Sequence, residues 1–201
     1  MLKDYLKAGY PAICLLTQEP ERAEKAVVNN DWKFLAWDCL QGIREANSIC
    51  LVEATRDPVD AVMYLDKCRD TVLIAHNLHL FCDIPEVVQA IQNGVSRWKS
   101  TGCCLVVVSP VIQLRPELEK VFHVLDLPFP SEEELFSMQQ ELAKGLDLQD
   151  VNGNQIQVEA DFASARAARG LTEFEAETAF ALSLVKEGKF SSRVIGETKA
   201  Q

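Results

Sequence analysis

The stretch that decides the fold is AICLLTQEPERAEK, residues 12–25, which runs from an apolar segment through a sharp turn into the start of a helix. The apolar half is typical of a strand that is covered on both faces of a sheet. In a P-loop nucleotide-binding fold, a strand-to-helix junction of this kind carries the motif G-x-x-x-x-G-K-[ST]. Here the junction begins with Thr17 and Gln18 and contains no glycine, which leaves two alternatives: a nucleotide-binding fold that cannot bind phosphate, or another fold.

The residues of this junction are unsuited to phosphate. A P-loop holds phosphate with inward-pointing backbone N–H groups, which glycines permit, and with the charge of a lysine. Lys25 lies several residues into the predicted helix, and the carboxylates of Glu19, Glu21 and Glu24 would repel a triphosphate. Acidic residues are common at a helix N-terminus, where they offset the helix dipole. The junction is therefore predicted to be an ordinary β-to-α turn that does not bind nucleotide.

Outward from the junction, short apolar runs alternate with amphipathic stretches over residues 1–130. Asp57 and Pro58 are suited to the N-cap and the first position of one helix, and Asp83 is suited to cap another. This alternation predicts an α/β fold, a doubly wound three-layer sandwich around a parallel sheet. The predicted strands are 11–17, 32–37, 48–53, 71–75, 103–109 and 123–127, and the predicted helices are 20–28, 58–67, 84–100 and 116–121.

The pattern changes in residues 131–201, where no further apolar strand follows and the sequence predicts a small helical subdomain. Residues 152–154, Asn-Gly-Asn, indicate a turn. The last residues resemble the first turns of a helix that stops mid-pattern, so we expect the natural chain to continue beyond Gln201. Helix starts are indicated by the capping boxes Ser131 with Glu134 and Thr172 with Glu175, and by Asp161.

Composition and charge exclude several classes of function. The net charge of −10 at pH 7, without a local basic patch, argues against a nucleic-acid partner. No apolar run is long enough for a transmembrane helix, and the charged N-terminus is unlike a signal peptide, so we expect a cytoplasmic protein that does not enter a membrane. The seven cysteines include no C-x-x-C pair, which favours reduced thiols.

The two-part layout resembles the AAA ATPase module. The resemblance lies in LRPELEKVFHVLDLPFPSEEELF (114–136), in ARGLTEFEAETAFALSLV (168–185), and in TVLIAHNLHLF (71–81) followed by CCLVVVSPV (103–111). More narrowly, the sequence is similar to the first domain of the two-domain AAA ATPases of cyanobacteria, other bacteria and chloroplast genomes. The segments YLKAGYPAICLLTQEPERAEKAV, SPVIQLRPELEK and GLTEFEAETAFAL carry that narrower similarity. In those proteins a first AAA-like domain lacks the P-loop, and an active AAA domain follows it.

The resemblance implies a three-layer RecA/AAA-like sheet over residues 1–130 and a helical lid over 131–201. It also implies that ATP and magnesium belong to a following domain. The slot for the magnesium-binding Asp and the water-activating Glu holds His76 and Asn77, neither of which supplies the acidic ligands that magnesium prefers. Ser109 occupies a sensor position and Arg115 lies near that of an arginine finger, but the arginine expected just downstream is replaced by Glu-Leu-Glu. The resemblance therefore implies a degenerate site and no catalysis in this chain.

A metal site is the other chemical candidate. His76, His79 and Cys82 have a spacing that metal ligands can adopt, on a segment after a strand. No fourth ligand is evident, and a loop packed under the edge of the sheet is the simpler interpretation. The sequence also lacks a G-x-S-x-G nucleophile motif. No metal and no catalytic residue are therefore assigned.

Three functions remain open on the sequence. The first is a non-catalytic AAA-like module that associates with its own copies or with a following ATPase domain, and so governs assembly, regulation or presentation of a protein substrate. It would lie in the cytoplasm, or in the chloroplast stroma if it is encoded in a plastid. The second is a free-standing adaptor with a doubly wound, receiver-like fold. The third is an ATPase with an unusual phosphate loop, which the acidic first turn of the helix disfavours.

Overall fold

The computed structural model describes residues 2–112, 114–145 and 158–200. The chain divides into two compact units, Met1–Leu127 and Pro128–Gln201. The strands are β1 (Ala12–Leu16), β2 (Lys33–Asp38), β3 (Gly42–Glu45), β4 (Leu51–Glu53), β5 (Thr71–His76), β6 (Cys104–Ser109) and β7 (His123–Asp126). The α-helices are α1 (Leu2–Lys7), α2 (Pro20–Val27), α3 (Pro58–Tyr64), α4 (Pro85–Thr101), α5 (Glu132–Lys144), α6 (Phe162–Ala167), α7 (Glu173–Glu187) and α8 (Ser192–Lys199), with 3₁₀ turns at Leu65–Lys67 and Leu78–Phe81.

The described residues of the first unit form a seven-stranded sheet in the order β4-β3-β2-β5-β6-β1-β7. Five neighbouring strands are parallel to one another: β2, β5, β6, β1 and β7. Strands β3 and β4 extend the sheet beyond β2 as antiparallel strands. Because parallel strands end at the same edge, Leu16, His76 and Ser109 lie at one carboxyl edge of the sheet. This α/β architecture confirms the predicted fold class.

Both faces of the sheet are covered, and β1 shows why its sequence is apolar throughout. Ala12 and Cys14 pack into the cluster that contains side chains of α3 and α4. Ile13 and Leu15 pack into the opposite cluster, which contains side chains of α1 and α2. Successive strand residues point to opposite faces, so a strand buried on both faces needs apolar residues at every position. The result is the predicted three-layer sandwich.

The receiver-like alternative is wrong for this sheet. Numbered in chain order, the parallel strands of a receiver-like sheet lie in the order 2-1-3-4-5. Here β1 lies between β6 and β7, so the parallel strands follow the order 2-3-4-1-5. The first strand therefore lies among the later ones, which is a different topology.

Two local predictions are wrong. The predicted helix over residues 116–121 is a series of turns, in which Leu118 N–H donates to the Arg115 carbonyl at 2.8 Å and Phe122 N–H to the Leu118 carbonyl at 3.1 Å. A segment of this length is too short to nucleate a helix of its own, and burial of Leu118 and Phe122 determines its path. The predicted cap Asp83 is also wrong, because α4 starts at Pro85 with Ile84 as its N-cap. Proline lacks an N–H and its φ suits the first helical position, so it sets the start of the helix.

Two elements were absent from the sequence prediction, α1 and β3. Strand β3 contains only four residues, GIRE, and joins the sheet because Leu35, Ala36, Trp37 and Asp38 of β2 pair with it. Its periodicity is too short to be recognised without that partner. Strand β4 is also shorter than predicted, since it begins at Leu51.

The second unit contains α5 to α8 among its described residues, and the capping signals in its sequence are confirmed. Ser131 N–H donates to Glu134 Oε2 at 2.7 Å while Glu134 N–H donates to Ser131 Oγ at 3.2 Å. Thr172 and Glu175 make the same reciprocal pair at the start of α7. The Asp161 carboxylate accepts from the first amides of α6. Leu135, Ala165, Phe180 and Ile195 form part of the core. The predicted turn at 152–154 lies outside the described residues.

Candidate functional site at the carboxyl edge of the sheet

The connection between β1 and α2 is short and closed by its own hydrogen bonds. Three residues, Thr17 to Glu19, separate Leu16 from Pro20. The Thr17 N–H donates to the Ser109 carbonyl at 2.9 Å, and the Glu19 N–H donates to Thr17 Oγ1 at 3.0 Å. A P-loop needs roughly eight residues, with several N–H groups turned toward phosphate. This connection is thus a tight turn.

Behind the turn, the carboxylate of Glu24 is the centre of a buried polar cluster. Glu24 is 4% exposed. Arg44 approaches it with both terminal nitrogens, Nη1 at 2.7 Å from Oε1 and Nη2 at 2.8 Å from Oε2. His76 Nε2 lies 2.8 Å from Oε2, and the backbone N–H of Asn47 donates to Oε1. A single carboxylate thus joins α2, β3, β5 and the turn after β3.

The local fold brings these residues together in a simple way. Glu24 lies on the buried face of α2, next to Ala23 and three residues before Val27, which are both buried. His76 ends β5 and follows Val72 and Ile74 at alternate positions, on the face of the sheet that packs against α2. A strand places alternate residues on one face, so His76 is directed toward the helix.

The turn between β3 and β4 supplies the remaining donor. Asn47 has a φ of 57°, in the left-handed region that asparagine tolerates better than most residues. Arg44 Nη1 also donates to the carbonyl of Ser48 at 3.3 Å. The guanidinium and the Asn47 N–H therefore tie the same turn to the helix from two directions.

Glu24 is held in its ionised form. Burial opposes ionisation and by itself raises the pKa of this carboxyl group, but the hydrogen bonds from His76, Arg44 and the Asn47 N–H outweigh it. The pKa of Glu24 is consequently far below its ordinary value of 4.5. The hydrogen bond to Glu24 raises the pKa of Arg44 in turn. The cluster is a charged, satisfied group inside the protein, which is the condition under which a buried ion is tolerated.

The other residues at the carboxyl edge are engaged with their own backbone or exposed. Ser109 is buried, and its hydroxyl donates to the Val111 carbonyl at 2.6 Å while accepting from the Val111 N–H at 3.2 Å. Asn77 is exposed in a left-handed conformation with a φ of 56°, and its N–H donates to the Val108 carbonyl at 3.0 Å. Neither Ser109 nor Asn77 joins the cluster of Glu24.

Arg115 lies on the surface and faces carboxylates. Its Nε donates to Glu117 Oε2 at 3.4 Å, and its Nη1 lies 3.8 Å from Asp83 Oδ1. Its side chain is 45% exposed. The glutamate that replaces the expected second arginine is therefore a partner of Arg115.

The three candidate metal ligands have separate surroundings. His76 contacts Glu24, whereas Cys82 Sγ donates to the Leu78 carbonyl at 3.5 Å. His79 is buried, its Nδ1 has no hydrogen-bond partner, and burial lowers its pKa. Over residues 2–112, 114–145 and 158–200, no group of three or more His, Cys, Asp or Glu side chains could hold a metal ion. In the described part of the chain, every helix is too short or too polar to span a bilayer.

Sequence reasoning named Glu24 and His76 but did not connect them, and it missed Arg44 and Asn47. The sequence predicts that Glu24 is one of several carboxylates that repel phosphate, and it gives no recognisable signal for β3. One signal was available, since Glu24 shares the apolar face of its helix with Val27. A carboxylate on a buried helix face requires a partner, and an arginine on a nearby strand is the common one.

Comparison with known proteins shows that this chain is similar to AAA domains. A family described as SpoVK-like AAA ATPase, N-terminal domain, matches residues 1–127. An uncharacterised AAA domain-containing protein, ycf46 of Guillardia theta, is 24% identical over 145 residues, covering 67% of this chain and 28% of that protein. The chain therefore spans little more than a quarter of this curated relative.

Two solved structures have the same fold. The FIGL-1 AAA domain in complex with ADP matches with a TM-score of 0.59 and 12% identity, over 96% of this chain and 71% of that one. A chain of the E. coli MS115-1 HORMA:CdnC:Trip13 complex matches with a TM-score of 0.55 and 12% identity, over 96% of this chain and 74% of that one. At this identity the likeness concerns the fold alone.

Proposed function

The chain belongs to the family of SpoVK-like AAA ATPase N-terminal domains, and we propose that it is a non-catalytic member of the AAA fold. In this proposal it keeps the packing surfaces of an AAA domain and has lost the nucleotide site. It would govern assembly, regulation or substrate presentation for an ATP-hydrolysing domain elsewhere in the same protein. The three-residue connection between β1 and α2 carries the proposal, because it leaves no room for a phosphate-binding loop before the helix.

The chemistry of the edge supports the loss of nucleotide binding. A triphosphate would meet the three-residue connection, in which the amides of Thr17 and Glu19 already have acceptors. Arg44 and His76, two groups that could bind phosphate, are already engaged with Glu24. Donors that are already committed to other acceptors act against phosphate binding.

The hydrolytic groups are likewise replaced. Magnesium prefers carboxylate oxygens, whereas the end of β5 offers an imidazole directed at Glu24 and the exposed amide of Asn77. The Ser109 hydroxyl is engaged with Val111, and Arg115 faces Glu117 and Asp83. ATP and magnesium are accordingly assigned to another domain of the parent protein.

The partners proposed are further copies of the chain, the ATPase domain of the parent protein, and a protein substrate. The relative from Guillardia theta is long enough to contain such a domain, since this chain matches only 28% of it. A location in the cytoplasm or the chloroplast stroma stays a prediction.

Thermal unfolding with and without millimolar Mg-ATP or Mg-ADP tests the loss of nucleotide binding. A ligand at a hundredfold excess over its Kd stabilises the folded state by about 2.7 kcal/mol, which raises Tm by about 5–11 °C for a chain of this size. We expect no shift for this chain and a clear shift for the FIGL-1 AAA domain, which was solved with ADP. A comparable shift here would mean that the edge binds nucleotide and that the proposal is wrong.

The role in assembly requires the parent protein. We expect that deleting residues 1–201 changes its oligomeric state in analytical ultracentrifugation, or its rate of ATP hydrolysis at a fixed concentration. Unchanged values of both quantities would contradict a role in assembly or regulation, whatever the outcome of the nucleotide experiment.

A further inference from the structure

We propose that Arg44, His76 and the backbone N–H of Asn47 form a carboxylate-binding site that the chain fills with its own Glu24. The inference rests on the proposed function, because it states what occupies this edge in a domain without nucleotide. It also goes further, since it assigns a ligand class, small carboxylates, to a set of donors that face one another across three elements of the fold.

The geometry of the donors carries this inference. Arg44 presents a planar fork, with one nitrogen to each oxygen of the carboxylate at 2.7 and 2.8 Å. This is the bidentate arrangement by which arginine recognises carboxylates. His76 adds a bond to Oε2 at 2.8 Å, and the Asn47 N–H adds one to Oε1. Each oxygen therefore accepts two hydrogen bonds.

These donors are buried, so they form an enclosed binding site, which distinguishes them from an ion pair on the surface. The side chain of Glu24 is 5% exposed, that of Arg44 is 16% exposed and that of His76 is 11% exposed. Water cannot readily replace a carboxylate there, so the donors need an anion to satisfy them. The chain supplies it from α2, the helix that in a P-loop protein begins at the bound phosphate.

The tether explains why Glu24 is the permanent occupant. A carboxylate on a rigid helix has a high effective concentration at the site, so a free anion does not displace it. The bonds between Glu24 and its partners also hold the turn after β3, which includes the left-handed residue Asn47.

Chemical rescue tests the inference in the full 201-residue chain. Glu24→Ala removes Cγ and the carboxyl group, which together have the size and charge of acetate. We expect this variant to unfold at a lower temperature than the wild type and to regain part of the loss in sodium acetate, relative to sodium chloride of the same ionic strength. At a tenfold excess of acetate over its Kd, the ratio of folded to unfolded protein increases by a factor of about 11. This corresponds to a rise in Tm of about 3–6 °C.

Three comparisons make the rescue specific. Acetamide has the shape of acetate without its charge, and we expect no rescue by it. Glu24→Gln fills the space, so acetate should not stabilise that variant. In the double variant Glu24→Ala/Arg44→Ala the fork is gone, and the acetate response should disappear. Equal rescue by acetamide, or a response that survives the loss of Arg44, would show a simple cavity and overturn the proposal.

The experiment stays informative if Glu24→Ala does not fold in chloride. Refolding from urea in acetate and in chloride then gives the answer, since the proposal expects folding in acetate alone. Failure to fold in both salts would contradict it. The result is also separable from the proposed function. Mg-ATP binding to the wild type would reject that function directly, whereas an absent acetate response rejects the carboxylate site and leaves the nucleotide result standing.

Discussion

Each unit of the molecule contains an arginine that holds a glutamate with two nitrogens, and the two pairs differ in burial and in how many carboxylate oxygens the arginine contacts. In the first unit Arg44 contacts Glu24 at 2.7 and 2.8 Å, and the side chains are 16% and 5% exposed. In the second unit Arg166 contacts one oxygen of Glu132 at 3.0 and 3.2 Å, and the side chains are 69% and 22% exposed.

The two pairs have similar contact distances, and we expect burial to set how much each contributes to stability. If Arg166 is removed, water replaces it at Glu132. If Arg44 is removed, the carboxylate of Glu24 stays inside the protein without its main charge partner. Exposed pairs therefore contribute little, whereas breaking one side of a buried pair is strongly destabilising.

The largest effect expected from this comparison is that of Arg44→Ala. We expect the free energy of unfolding of the first unit to fall by about 3–5 kcal/mol, because the variant leaves a buried carboxylate without its arginine. Urea unfolding followed by tryptophan fluorescence measures it, since Trp32, Trp37 and Trp98 all lie within Met1–Leu127. A loss as small as that of a surface substitution would mean that the site admits water.

The pH dependence of stability tests whether Glu24 is ionised in the folded protein. The pKa of Glu24 is lower in the folded protein than its ordinary value of 4.5, so its ionised form contributes stability above that value. This contribution is lost as the pH falls below about 4.5 toward the folded pKa. We expect the wild type to be more stable than Glu24→Gln at pH 5.5, and the difference in Tm between them to be smaller at pH 3. An unchanged difference at the two ends would contradict an ionised Glu24.

An intermediate effect is expected in the second unit, at the capping box of α7. Thr172→Ala removes the hydroxyl that accepts from the Glu175 N–H at 3.2 Å and donates to the Glu175 carboxylate at 2.9 Å. We expect a loss of about 1 kcal/mol, which is typical of an N-cap, in urea unfolding followed by circular dichroism. Thr172→Ser keeps the hydroxyl and should retain most of the stability, which separates capping from the loss of a methyl group.

The smallest effect is that of Arg166→Ala, the counterpart of Arg44→Ala. Because solvent reaches both partners, we expect the unfolding midpoint to stay within experimental error of the wild type. A large loss at Arg166 would break the comparison, since it would show that exposure does not separate the two pairs.

At Gly94, helix propensity and tertiary packing favour different residues. Gly94 lies inside α4, where glycine is less favourable than alanine by roughly 1 kcal/mol. A Cβ at this position would collide with the indole of Trp98 one turn later, and Trp98 is fully buried with its Nε1 donating to Asp66 Oδ1 at 2.9 Å. The sequence shows an unfavourable helix residue, and only the packing shows why it is there.

The sequence by itself determined the features that depend on neighbouring residues. Apolar runs defined most strands of the parallel sheet, capping boxes at Ser131 and Thr172 defined the starts of two helices, and the lack of glycine between Leu16 and Pro20 excluded a P-loop motif. Such features are visible because periodicity, caps and turns act over a few residues.

Only the tertiary structure decided the role of Glu24. Its partners Arg44 and His76 are 20 and 52 residues away along the chain, and Arg44 lies on β3, a strand that forms because β2 pairs with it. A single carboxylate on a helix does not show in the sequence whether it faces water or a guanidinium. The position of Glu24 next to Ala23 on the apolar face of α2 hints at burial, but its ionised state and its bonds follow from which distant residues the sheet brings to it.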